Sequence, residues 1–150
     1  LFRSRVLKEF GTSGYDGAAR FMLLTACRRE EACGLRFEDI VEDIATLRIK
    51  GGGELSVPLS VDAQTLIGAQ GRTSGLVFVS RGGRALASWD KWQKVIFRKT
   101  GTKDWHRHDL RRTAATLLGR EGVAPHVIEM VLGHKHALND LASIYNQSRY

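Results

Sequence analysis

Three consecutive glycines, Gly51-Gly52-Gly53, separate two short runs with the composition of β-strands. Glycine tolerates positive φ without strain, so a glycine-rich connection between two such runs favours a tight β-hairpin. A third run of this kind, LVFVS, follows at residues 76–80. The sequence therefore predicts a small three-stranded antiparallel sheet, with strands near Ala45–Lys50, Glu54–Pro58 and Leu76–Ser80.

Most of the remaining chain has the periodicity of helices, with apolar residues recurring every three or four positions. Ser88 is placed to begin a helix whose buried stripe includes Trp89 and Trp92, and Gly122 and Gly133 are placed to end two others. The predicted helices span residues 15–27, 30–35, 61–69, 88–99, 109–120, 125–133 and 138–147. Helices combined with one small antiparallel sheet indicate a mostly helical α+β domain.

The length of 150 residues is typical of one domain that buries a core of ordinary size. No uninterrupted apolar run is long enough to span a bilayer, so we expect no membrane-spanning segment. Leu1 rather than Met opens the sequence, and we expect a piece of a longer protein. The two cysteines, Cys27 and Cys33, are too few for a disulfide scaffold and are predicted to be free thiols in a reducing compartment.

The positive charge of the chain is concentrated in one stretch. Residues 81–112 contain ten basic and three acidic side chains, which accounts for the entire net charge of +7. A local excess of this kind indicates a polyanionic partner, although a solvated basic face is the alternative interpretation. Within the stretch, we expect a group of four basic residues to contact that polyanionic partner. These residues are Arg81, Arg84, Lys91 and Lys94.

Three further segments have polar residues where packing alone would not require them. Arg28 ends an apolar helix, with Glu31 one turn further on. His108 and Arg111 are three residues apart at the start of a predicted helix, so they share a face where the helix dipole favours an anion. Arginine can hold two phosphate oxygens and histidine can transfer a proton near neutral pH, so this pair is suited to phosphate chemistry.

The third segment contains His134, in Leu-Gly-His, and Tyr145. Together the three segments and the hairpin resemble the catalytic domain of the tyrosine recombinases, the phage integrase family. That family has an arginine, a hairpin lysine, His-x-x-Arg, Leu-Gly-His and a nucleophilic tyrosine in this order. The matching residues are Arg28, Lys50, His108, Arg111, His134 and Tyr145, within TACRREEACGLRFEDI, KGGGELSVPL, HDLRRT, LGH and SIYNQ.

Two positions depart from the family pattern. Ala26 stands where the family usually has glycine. The interval between His134 and Tyr145 is somewhat longer than the commonest family spacing, which leaves Tyr150 as a rival nucleophile.

The resemblance implies the fold of the DNA breaking-rejoining enzymes and a role in site-specific recombination, such as phage or mobile-element integration and excision. It implies metal-independent transesterification through a 3′-phosphotyrosine, with no cofactor. Arg28 and Arg111 would neutralise the reacting phosphate, Lys50 would protonate the leaving oxygen and His108 would accept the tyrosine proton. The three glycines after Lys50 increase the conformational freedom of the backbone. Without DNA we therefore expect a poorly ordered hairpin tip or a Lys50 that lies away from the arginines.

The resemblance also assigns residues 1–150 to the catalytic domain, with the family's N-terminal core-binding domain and C-terminal tail outside them. The implied partner is double-stranded DNA at a recombination site, with a homo-tetramer on DNA for the full-length protein. The implied location is the cytoplasm, in a bacterial or phage-encoded protein.

Three alternatives stay open at the level of sequence. A type IB-like DNA topoisomerase would use the same residue types, and a prophage remnant could bind DNA without activity. A metal site is the third alternative, because the chain has two His-x-His pairs. Their spacing, with that of the cysteines, fits no common zinc motif. The pairs are His106 with His108 and His134 with His136.

Overall fold

The structure is a computed structural model that describes residue 6 and residues 8–133. The main helices in this part are α1 (Gly14–Thr25), α2 (Arg29–Gly34), α3 (Val61–Gly68), α4 (Trp89–Thr100), α5 (Arg107–Arg120) and α6 (Pro125–Val131). The strands are β1 (Ile40–Val41), β2 (Ile44–Arg48) and β3 (Glu54–Pro58), and a short 3-10 helix spans Phe37–Asp39. Each of these main helices lies where the sequence predicts one, with ends that differ by a few residues. The helix predicted at residues 138–147 lies outside the described residues.

The strands form one antiparallel sheet with β2 in the centre. The β2–β3 register runs from Ile44 opposite Pro58 to Arg48 opposite Glu54. The three glycines that connect these strands have φ angles of 92°, 85° and 108°. Because side chains with a Cβ rarely adopt such angles, the turn requires glycine, and the predicted hairpin is confirmed.

The predicted third strand at Leu76–Ser80 is wrong. Only Leu76 makes a β-bridge, an isolated one with Arg36, and the third strand of the sheet is instead β1. Val77 and Phe78 are completely buried, so this run is apolar because it crosses the core. Strand β1 has only two residues, which is too short for a period-two pattern to be recognised.

Helix α1 is the central element of the core. Its Ala18, Phe21 and Met22 are buried, and the helix packs against α2, α3 and α5. The helix ends at Ala26, which has a left-handed backbone conformation with φ of 56°. This turn sends the chain out of the core just before Arg28.

Helix α4 and the segment before α5 are held together by aromatic side chains. Trp92 makes edge-to-face contacts with Trp89 and Trp105, at ring-centroid distances of 5.2 and 6.4 Å. The indole nitrogen of Trp92 donates a 2.6 Å hydrogen bond to Asp16, which ties α4 to α1. Because Trp105 is buried immediately before α5, these contacts fix the position of the first turn of that helix.

Candidate active site

A cleft of about 740 Å³ opens where the ends of several elements meet. Its walls come from the end of α1, the start of α2, the β2–β3 hairpin and the start of α5. Four residues proposed from the sequence line it, namely Arg28, Lys50, His108 and Arg111. The other lining residues are Met22, Arg29, Glu30, Arg48, Ile49, His106 and Arg107. The cleft is therefore strongly basic, as a phosphate site requires.

Arg28 precedes the first turn of α2 and is braced by Glu31. The Arg28 Nη1 atom donates a 2.8 Å hydrogen bond to Glu31 Oε1, and the Arg28 backbone nitrogen donates a 2.6 Å bond to Oε2. Glu31 is only 4% exposed, so its carboxylate has little competition from water. The Arg28 guanidinium is consequently held in one orientation, while its Nε and Nη2 atoms bond no described residue.

Arg111 is 4% exposed and connects two distant turns. Its Nη1 atom donates a 2.6 Å hydrogen bond to the carbonyl oxygen of Ala26, and its Nη2 atom donates to the carbonyl oxygen of Leu132. Burial, together with the nearby charge of Arg28, lowers the pKa of Arg111 from its usual high value. Arginine titrates so far above neutrality that the side chain stays charged, and the two carbonyl groups offset part of its lost hydration.

Lys50 and His108 are the exposed members of the group. Lys50 follows β2 at the hairpin and lines the cleft with the two arginines, rather than lying away from them. His108 is the second residue of α5, whose first turn is capped by the Asp109 carboxylate through a 2.8 Å hydrogen bond from the His106 nitrogen. The positive end of the helix dipole thus faces the cleft beside His108.

Several basic cleft residues were missed by sequence reasoning, although the sequence contains signals for two of them. Arg48 lies two residues before Lys50, and side chains two apart in an extended segment lie on the same face. Arg107 lies four residues before Arg111, which places the two on neighbouring turns of one helix face. Arg48 is held by Asp39 through hydrogen bonds of 2.6 and 2.9 Å.

The four residues expected to contact DNA lie apart from the cleft. All four are exposed, and none lines the cleft. Lys91 and Lys94 are on α4, and Arg81 lines a separate depression of about 480 Å³ near the start of α1. Their contact with DNA, on an extended surface outside the cleft, stays a prediction. These residues are Arg81, Arg84, Lys91 and Lys94.

Some of the sequence-based assignments fall on residues whose placement the structure does not describe. His134, His136, Tyr145 and Tyr150 all lie outside the described residues. Among residue 6 and residues 8–133, no group of three His, Cys, Asp or Glu side chains is arranged to hold a metal ion. Within the same residues, no helix has the length and apolar character needed to cross a membrane.

The sequence is similar to curated recombinases. It is 32% identical to the tyrosine recombinase XerD of Bifidobacterium longum, over an alignment that covers 76% of this chain and 44% of that protein. A second XerD, from Corynebacterium glutamicum, is 31% identical, with 73% of this chain and 41% of that protein covered. The chain therefore spans less than half the length of these relatives.

The fold is similar to that of solved recombinase structures. A crystal structure of the XerA recombinase matches 98% of this chain and 62% of its own, with a TM-score of 0.72 and 21% identity. A crystal structure of a lambda integrase tetramer bound to a Holliday junction matches 89% of this chain and 45% of its own, with a TM-score of 0.71 and 18% identity. Both similarities establish the α+β fold with its small antiparallel sheet.

The family model described as the phage integrase family matches residues 12–150. This match includes every segment that lines the basic cleft. Together with the similarity to XerD, it shows that the chain belongs to the phage integrase family of tyrosine recombinases.

Proposed function

We propose that the chain is the catalytic domain of an enzyme that breaks and rejoins DNA strands in site-specific recombination, such as the integration or excision of phage or other mobile DNA. The observation that carries this proposal is the meeting of Arg28, Lys50, His108 and Arg111 in one basic cleft. They come from three separate parts of the chain, which are the turn before α2, the β2–β3 hairpin and the first turns of α5. Membership of the phage integrase family supports it.

In the proposed reaction the hydroxyl oxygen of Tyr145 attacks a DNA phosphorus atom. A bond forms between that oxygen and phosphorus, the bond from phosphorus to the 5′-oxygen breaks, and a 3′-phosphotyrosine results. Because the covalent link replaces one phosphodiester by another, the reverse attack of a 5′-hydroxyl can rejoin the strand without ATP. No metal ion or cofactor is required.

The cleft residues have complementary parts in this scheme. Arg28 and Arg111 neutralise the negative charge that accumulates on the phosphorane, as donors fixed before the reaction begins. His134 supplies a further donor to the same oxygens. His108 accepts the tyrosine proton, and Lys50 donates a proton to the departing 5′-oxygen.

The charge distribution supports double-stranded DNA as the substrate, with Lys91 and Lys94 among the contacts to the duplex outside the cleft. By analogy with the lambda integrase tetramer on a Holliday junction, the full-length protein is proposed to form a homo-tetramer on DNA. A DNA substrate of this kind is consistent with action in the cytoplasm of a bacterial cell.

The decisive experiment is covalent trapping on DNA. A pool of nicked duplexes of random sequence allows a cleaved strand to lose its short end, so that the protein–DNA adduct accumulates and can be sequenced. Arg28→Ala and Arg111→Ala should abolish the adduct but retain most DNA binding, because binding is spread over many phosphates. Arg120→Ala, at the exposed far end of α5, is the control that should keep both. Equal loss of binding and adduct in both cleft variants would contradict the assignment.

Two further variants test the remaining roles. Tyr145→Phe should lose the adduct and Tyr150→Phe should keep it, and the reverse result would assign the nucleophile to Tyr150. Lys50→Ala should slow cleavage of an ordinary strand. A substrate with sulfur at the 5′-bridging position has a leaving group that needs no proton, and it should restore the rate. Without such rescue, Lys50 is not the general acid.

A further inference from the structure

Arg107 is a cleft residue that the scheme above does not use. It is the first residue of α5, next to His108, and its side chain is 20% exposed. Its Nη1 atom donates hydrogen bonds to Asp90 Oδ1 at 3.0 Å and to Gln93 Oε1 at 2.6 Å. Its Nε and Nη2 atoms bond no described residue, so the guanidinium lines the cleft with donors to spare.

The two partners of Arg107 differ sharply in their surroundings. Gln93 is 7% exposed, and its amide nitrogen donates to the backbone oxygen of Trp105, which fixes the amide oxygen that faces Arg107. Asp90 is 85% exposed, so its pairing with Arg107 is weakened by water and contributes little to stability. The contact with Gln93 therefore orients the Arg107 side chain. The ion pair with Asp90 can be replaced by another anion with little loss of free energy.

The cleft itself has room for more than the reacting group. Its volume of about 740 Å³ is in the range of sites that bind a ligand much larger than one phosphate. The reacting phosphate is already assigned donors from Arg28 and Arg111. A further guanidinium at the same rim, with spare donors and an exchangeable carboxylate, is suited to a second phosphate of the bound strand.

We propose that Arg107 binds a DNA phosphate other than the one held by Arg28, and that Asp90 occupies its guanidinium while the cleft is empty. On binding, the phosphate replaces Asp90 and the Gln93 contact is kept. This inference rests on the proposed function for the presence of DNA in the cleft, but it makes no use of the strand-breaking chemistry.

The salt dependence of DNA binding tests the proposal, because its slope counts the phosphates that a protein neutralises. The probe is a 30-base-pair duplex of mixed sequence, titrated by fluorescence anisotropy at several salt concentrations. Arg107→Gln should weaken binding about ten-fold at low salt and reduce the slope by about one. Arg107→Lys should restore the slope, since it keeps the charge. Arg120→Gln, a charge loss at the other end of the same helix, should leave the slope unchanged.

The Arg28→Gln variant decides whether two phosphates are involved. If Arg28 and Arg107 bind different phosphates, the double variant should lower the slope by about two, whereas a shared phosphate gives a decrease of about one and overturns the proposal. Asp90→Asn should tighten binding, because it removes the competing carboxylate. Weaker binding by Asp90→Asn, or an unchanged slope in folded Arg107→Gln, would show that the contact only ties α4 to α5.

These measurements need no cleavage, so their outcome is separate from that of covalent trapping. A wild-type chain that forms no adduct would refute the proposed function and leave the slope test intact. A changed adduct yield with an unchanged slope would refute the role of Arg107 alone. Circular dichroism and thermal unfolding of each variant confirm that the fold is retained.

Discussion

The carbonyl oxygen of Ala26 accepts a hydrogen bond from Arg111, although Ala26 itself has an unfavourable φ of 56°. A left-handed conformation costs an alanine about 1 kcal/mol relative to glycine. The strained turn therefore contributes directly to the position of a cleft arginine, and it lies at the position where the sequence departs from the family's usual glycine.

The Ala26→Gly variant measures this strain. Relief of the left-handed conformation offsets the lost burial of one methyl group, so the free energy of unfolding should change by less than about 1 kcal/mol. Ala19→Gly, at a buried position inside α1 with ordinary helical geometry, should lose about 1 kcal/mol more than Ala26→Gly. Urea denaturation of the two variants provides the comparison, and equal losses would show that the Ala26 turn is unstrained.

Cys27 gives a prediction about pH. Burial raises the pKa of its thiol from 9.0 to about 12. The thiol ionises near pH 9 in the unfolded chain and only near pH 12 in the folded chain. Ionisation therefore favours the unfolded state as the pH rises through this window. Stability should fall by about 1 kcal/mol per pH unit from this group alone.

The Cys27→Ala variant isolates that effect. It has no thiol to ionise at this position. The unfolding free energy of the wild type, minus that of the variant, should therefore fall steadily from pH 8.5 to 10.5. The measurement is urea denaturation at each pH, with Cys33 unchanged in both chains. A difference that stays constant across the range would contradict the burial of this thiol.

At the scale of elements, α1 is held against the chain that precedes it by a close approach at Gly17. A Cβ atom at this position would lie 2.4 Å from the backbone oxygen of Thr12, which is far inside van der Waals contact. Gly119 in α5 offers the contrast, because a Cβ atom there would meet only Ile128 Cδ1, at 3.7 Å. Both glycines are helical, but only the first is required by packing.

Alanine substitutions at these two positions should therefore have opposite effects. Gly17→Ala must displace backbone and should destabilise the fold by about 2–3 kcal/mol. Gly119→Ala gains helix propensity and should stabilise it by up to about 1 kcal/mol. Thermal unfolding monitored by circular dichroism distinguishes them. If Gly17→Ala unfolds at the wild-type temperature, the close approach to Thr12 does not exist in solution.

The elements also show what sequence patterns can and cannot reveal. The β2–β3 hairpin was predictable because a turn with three positive φ angles needs glycine, and glycine is visible in the sequence. The segment at residues 76–80 was misassigned because an apolar run that crosses a core has the composition of a buried strand. This segment instead pairs with the chain around Leu35, whose carbonyl oxygen accepts a 2.9 Å hydrogen bond from the Val77 nitrogen. No local sequence pattern indicates a pairing between such distant residues.

The sequence could predict which residues line the cleft, but not the hydrogen bonds that hold them in place. The resemblance to a known family identified Arg28 and Arg111 from their motifs. The carbonyl groups that hold Arg111 belong to the backbone, which every residue possesses, so no side-chain pattern could indicate them. The spacing to Arg111 indicates the helix face of Arg107, but no local pattern indicates its contacts with Asp90 and Gln93, which lie on another helix.

At the scale of the whole molecule, the excess of positive charge is concentrated in one stretch of the sequence. Residues outside 81–112 sum to zero, so the attraction of DNA should depend on this stretch. Reversal of Lys91 and Lys94 to Glu should reduce DNA affinity at low salt by at least about ten-fold and flatten its salt dependence.

A matched pair of reversals separates local from total charge. Lys8→Glu combined with Arg120→Glu changes the net charge by the same amount at two exposed positions outside the stretch. This control should retain most of the affinity, measured with the same duplex and buffers. Equal weakening by both pairs would mean that DNA responds only to the total charge and that the basic stretch is an ordinary solvated surface.

The Arg111 contacts also have a consequence for which insertions the sequence can accept during evolution. The turn at Ala26 and the turn at Leu132 meet through one side chain. Residues 81–85, in the loop before α4, are all exposed. Insertions into that loop can lengthen the chain between the two halves of the cleft without moving either half. The spacings inside each half, from Arg28 to Glu31 and from His108 to Arg111, are fixed by helical turns and tolerate no such change. A search for distant homologues should therefore hold these short spacings constant and leave the long interval between them free.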